Sequence, residues 1–205
     1  MGKEQDIDIS FAEIICTRFS HDMAGSISAV NNGVEFLLDS DDEMKEQALD
    51  LLQLSAKEGL AKLQLYRVAY GRVDKGANTS SEELKDIFGK FFENNKLDIK
   101  FSGDFTSGIL AENRKLLANM VIAAASLMIY GGEMEINNGG NKISVSGKAS
   151  KIKRDVDAET ILADNNIVDV SPQNSQIILL SKLISDGGKK LKLEITDESL
   201  KLEVN

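Results

Sequence analysis

At 205 residues, with 42% apolar and 28% charged side chains, the chain is long enough to bury one medium core or two small ones. Its formal net charge of −9 opposes a broad nucleic-acid or anionic-membrane surface, because phosphate-driven binding needs clustered lysine and arginine, and it contains no run of about 18 apolar residues that would span a membrane. The opening MGKEQDIDIS lacks the basic and apolar regions of a signal peptide, and Asp6 stands where a myristoylation motif wants Ser or Thr, so a cytoplasmic chain is expected.

From about Ser10 to Asp39, Phe11, Ile15, Phe19, Met23, Ile27, Val30, Val34 and Leu37 recur every three or four residues, which marks one stripe of a long helix. DSDDE at 39–43 breaks the pattern and supplies N-cap candidates. Met44, Ala48, Leu52, Leu63, Tyr66, Tyr70 and Val73 then continue at helical spacing, interrupted by Gly59. Two long helices joined by a short acidic turn make an antiparallel hairpin. The small, polar DKGANTSS at 74–81 has no periodicity and is the expected boundary, giving domains at 1–75 and 80–205.

Beyond it the texture changes. A helix SEELKDIFGKFFENN is capped near Ser80 or Ser81, followed by a strand at 97–102 and a helix from Asn113. Strands EMEIN and KISVSG flank NNGGN, a hairpin signal. A short helix near DAETILADN, a helix NSQIILLSKLISDGG after Pro172, and strands KLKLEIT and SLKLEVN close the chain. The pattern predicts an α+β protein whose second domain is an α/β sandwich.

Cys16 is the single cysteine, which excludes an intrachain disulfide and a cysteine-cluster metal site. Its place in the apolar pattern predicts a small core residue.

His21 is the single histidine. At about 100° per residue it lies roughly 190° from the mean direction of its own helix's stripe, which faces it away from the core. Thr17, Arg18, Gly25, Ser28 and Asn32 fall within roughly 60° of it, so the imidazole sits on a polar strip of mostly small residues with open approach. One histidine with scattered carboxylates does not make a zinc site, and no G-x-S-x-G elbow supports a serine triad. An exposed imidazole beside Asp22 suits nucleophilic attack on phosphorus, the carboxylate orienting the ring proton so that a free nitrogen lone pair is presented. The competing reading is ordinary surface histidine.

FSHDMAGSISAVNNGVEFLLD together with KLQLYRVAYG at 62–71 resembles the ChpT-type histidine phosphotransferases of alphaproteobacteria, in which these segments form the two arms of a helical hairpin. The likeness extends through RKLLANMVIAAASLMIYGGEMEI and the closing helix and hairpin. MAGSIS replaces the Ser-Pro step usual after the H-D pair.

The resemblance implies a hairpin like the dimerisation domain of sensor kinases, a dimeric four-helix bundle, and a second domain like a degenerate histidine-kinase ATP-binding domain. It implies phosphoryl relay from the receiver domain of a hybrid histidine kinase to His21, then to response regulators, with Asp22 its acidic neighbour and Arg18 a receiver or phosphate contact. It also implies no cofactor of the chain's own, the Mg²⁺ being supplied by the partner receiver.

An active kinase domain needs a D-x-G-x-G turn and a glycine-rich lid, and neither is present. Asn119 lies where an ATPase's magnesium ligand is expected, but no nucleotide is expected to bind. The apolar surface left on so long a hairpin predicts a homodimer. The alternatives are a non-catalytic adaptor that docks signalling proteins and an ATP-dependent histidine kinase.

Overall fold

A computed structural model describes residues 2–39, 41, 44–72, 78–93, 95–106, 108–139, 142–164, 171 and 174–205. By compactness it divides into two units, Met1–Arg67 and Val68–Asn205.

The first unit holds α1 (Gly2–Asp39) and most of α2 (Lys45–Tyr70). The helix α1 begins eight residues earlier than the apolar stripe, because Lys3, Glu4 and Gln5 are good helix formers and nothing before Gly25 breaks the run. Asp41 caps the return: its Oδ1 accepts the Met44 N–H at 3.2 Å, and its carbonyl accepts those of Met44 and Lys45. Ser40, Asp42 and Glu43 of the acidic turn lie outside the described residues.

Contacts fix the antiparallel register. Asp22, Ser26 and Gly33 ascend α1 while their neighbours Tyr66, Lys62 and Leu52 descend α2. The helices come close where small residues meet. A Cβ added to Gly59 would sit 3.2 Å from Ser26 Cβ, and one added to Gly33 would sit 2.9 Å from Leu52 Cγ. Gly59, an interruption in the sequence pattern, is therefore a point of close helix approach.

The apolar stripe of α1 divides lengthwise. Ser26 and Gly33 are buried, whereas Ile27 and Val34, expected in the core, are 64% and 42% exposed, and Leu38 is 78% exposed. One partner helix covers only part of a wide stripe. Cys16 lies on the same uncovered sector and is exposed, which corrects its expected place in the core.

The second unit is an α+β layer structure. β1 (Asn78–Ser80) and β3 (Gly108–Leu110) form a short antiparallel ribbon. They flank α3 (Ser81–Phe92), which Ser80 caps by accepting the Glu83 N–H, and β2 (Leu97–Gly103). Then follow α4 (Ala111–Leu127), β4 (Gly132–Asn138), β5 (Ile143–Lys148), α5 (Val156–Asp164), α6 (Ser175–Asp186), β6 (Leu191–Ile195) and β7 (Ser199–Val204). The five-stranded sheet has the order β2-β4-β5-β7-β6, parallel only between β2 and β4.

Alternation decides the faces. Met134, Ile136, Val145, Leu200, Leu202 and Val204 are buried, while Lys100–Glu133, Lys192–Glu194 and Lys201–Glu203 pair on the other side. Against the buried face lies α4, apolar nearly all round and packed on β5 and α6. The ribbon of β1 and β3 went unpredicted because three-residue strands carry no readable period. Gly131 and Gly132, where α4 gives way to β4, and Gly188, after α6, take positive φ, whereas Gly187 at −78° does not.

Candidate functional site

Helix α1 presents His21 with 88% of its side chain exposed, as its direction predicts. Thr17, Gly25, Ser28 and Asn32 are exposed on the same helix. Around Gly25 a Cβ would meet nothing within 4 Å, so the approach to the imidazole is open on that side. The Thr17 hydroxyl donates back to the Glu13 carbonyl at 2.9 Å, which keeps it close to the helix surface.

Asp22 is the hinge of the site. Its Oδ1 lies 3.4 Å from His21 Nδ1, a long contact, and its Oδ2 accepts the Tyr66 hydroxyl at 2.7 Å. The guanidinium of Arg18, one turn earlier and mostly buried, approaches the same Oδ2 at 3.9 Å. Arg18 is thus turned toward Asp22 rather than outward into solvent. One turn further on, Lys62 Nζ donates to Ser26 Oγ at 3.2 Å, a second polar tie between the helices.

Tyr66 and Lys62 are the functional candidates that sequence periodicity missed. Tyr66 read as one more apolar stripe residue, and its ring does pack edge-on to Phe19 at 5.9 Å between centroids. The available signal was its hydroxyl: a buried tyrosine needs a hydrogen-bond partner, and the sequence does not say which.

Chemically, an Nδ1–H held toward Asp22 leaves the Nε2 lone pair pointing outward, the arrangement a nucleophile needs. Among the described residues no group of three or more His, Cys, Asp or Glu is placed to hold a metal ion, and no helix is long and apolar enough to cross a membrane.

In the second unit Asn119 is fully buried. Its Nδ2 donates to the carbonyls of Ala69 and Lys115, at 2.9 and 2.8 Å, and its Oδ1 accepts from Gln176 Nε2 at 2.9 Å. The neighbouring Lys115 ammonium, held below its ordinary pKa by burial, donates to the Gly71 carbonyl. Arg67 and Arg72 are exposed.

Residues 81–199 match the family model described as histidine phosphotransferase C-terminal domain, a stretch that does not include His21. Protein phosphotransferase ChpT of Brucella abortus (strain 2308) is 24% identical over 201 residues, covering 94% of this chain and 93% of the relative. The solved structure of a bacterial phosphotransferase superimposes with a TM-score of 0.83 at 21% identity, covering 96% of each chain, and so shares the fold.

Proposed function

The chain belongs to the family of the histidine phosphotransferase C-terminal domain, its activity is phosphotransfer in a phosphorelay, and on that premise we propose that His21 is the residue that takes and gives the phosphoryl group. The observation that carries the assignment is the pairing of a single, 88% exposed imidazole with a carboxylate anchored by the neighbouring helix.

In the forward step the Nε2 lone pair attacks the phosphorus of a receiver's aspartyl phosphate. The P–N bond forms as the P–O bond breaks, and the departing aspartate keeps the electron pair. No proton has to leave Nε2 when the ring's hydrogen is on Nδ1, and Asp22 stabilises the positive charge the ring then acquires. The reverse sequence delivers the group to a response regulator.

Charge on the transferring group needs a divalent cation, and the receiver domain supplies it. Gly25, Ser28, Asn32 and Thr17 form the surface against which the receiver sits. The chain takes no nucleotide, a reading supported by the commitment of the whole Asn119 amide to internal bonds.

The functional form is a homodimer. Ile27, Val34 and Leu38 on α1, with Leu49 and Leu60 on α2, leave an apolar surface that a second copy would bury.

The test is transfer of label from a phosphorylated hybrid-kinase receiver domain, with Mg²⁺, to the wild-type chain and to His21→Ala. Label on the wild type alone supports the assignment. Label on both sinks His21 as the acceptor, and label on neither favours the adaptor reading.

A further inference from the structure

Asp22 can orient His21 only if its own carboxylate is held. A helix-surface aspartate ordinarily samples several rotamers, and a contact of 3.4 Å to His21 Nδ1 is too long to fix both partners. The restraint comes from the other helix. Tyr66, 7% exposed, donates to Oδ2 at 2.7 Å, and its ring is wedged against Phe19, one turn before Asp22 on the same helix. With Oδ2 committed to Tyr66 and facing Arg18, Oδ1 is the oxygen left for the imidazole.

We propose that Tyr66 is a positioning residue for phosphotransfer: its hydroxyl fixes the Asp22 carboxylate so that His21 carries its hydrogen on Nδ1 and presents Nε2 to phosphorus. The proposal rests on the phosphoacceptor reading of His21 and deepens it. It places a requirement on α2 that the H-D pair on α1 does not reveal. The hairpin register then matters to chemistry as well as to packing, because a slip between the helices would release Asp22.

Tyr66→Phe removes the hydroxyl and keeps the ring on Phe19. Because the chain has one histidine, the imidazole nitrogens give a single set of ¹⁵N resonances. In alkaline buffer that keeps imidazole neutral, the wild type should show mainly the Nδ1–H tautomer, and Tyr66→Phe and Asp22→Asn a shift toward Nε2–H. Transfer from a phosphorylated receiver should slow about tenfold in Tyr66→Phe.

Adding Tyr66→Phe to Asp22→Asn should cost no further rate, since Tyr66 acts through Asp22. Unchanged tautomer populations, an unchanged rate, or additive losses in the double variant would each overturn the proposal. The tautomer measurement needs no phosphotransfer. A wild type that accepts no label therefore refutes the His21 assignment, while the spectra still decide whether Tyr66 governs the ring.

Discussion

Tyr70 donates its hydroxyl hydrogen to Gln176 Oε1 at 2.8 Å, although 106 residues separate the two. Gln176 Nε2 in turn donates to Asn119 Oδ1, and Asn119 Nδ2 reaches the Ala69 carbonyl. Within the second unit, Ala69 and Tyr70 are thus tied to α4 and α6 by a largely buried chain of amides with few spare valences. Asn119→Ala should cost about 2–3 kcal/mol in urea unfolding, because it strands buried partners, and Tyr70→Phe about 1 kcal/mol.

The same network yields an expectation for ATP. Magnesium–ATP at millimolar concentration should leave the thermal midpoint of the wild type unchanged, since binding would require breaking those bonds and any ligand of the folded state raises the midpoint. A rise of several degrees, or autophosphorylation from labelled ATP, would restore the kinase alternative.

Gly25 separates stability from docking. Its surroundings are open, so Gly25→Ala should stabilise α1 by about 0.5–1 kcal/mol through helix propensity. Gly25→Leu should fold as well as the alanine variant yet slow transfer several-fold by blocking the receiver. Equal transfer rates in all three would remove this face from the docking surface.

Gly59 behaves oppositely. A side chain there meets Ser26, so Gly59→Leu should pry the helices apart, weaken the Lys62–Ser26 bond, and destabilise by about 1–3 kcal/mol in chemical denaturation.

Charge on the uncovered stripe tests the dimer. Light scattering should give the wild type a mass of two chains, each 22.4 kDa, and Ile27→Lys with Val34→Lys should give one. A wild-type mass near 22.4 kDa refutes the four-helix bundle.

Glu203 predicts the acid limb of stability. Hydrogen bonds from Lys201 and Lys142 hold its carboxyl down to about 2 from its ordinary 4.5. A depressed carboxyl stabilises the fold above its unfolded value and loses that contribution as pH falls through the folded one. Denaturation midpoints of wild type and Glu203→Gln should therefore differ at pH 6 and converge between about 4.5 and 2.

Much of this protein was determined by the sequence alone. The hairpin, the sheet strands, the caps at Asp41 and Ser80, and the outward direction of His21 follow from periodicity and short-range hydrogen bonding, which residues a few positions apart dictate.

Tertiary structure decided what depends on residues distant in sequence. Periodicity gives a stripe's direction but not how much of it one neighbour covers, so it could not separate buried Ser26 and Gly33 from exposed Ile27, Val34 and Cys16. Nor could it assign the Tyr66 hydroxyl to Asp22, 44 residues away, or Asn119 to Ala69 and Gln176. Directional bonds between polar groups have no period to read. They exist only once the backbone has brought donor and acceptor within about 3 Å, and in this protein they set the carboxylate beside the histidine.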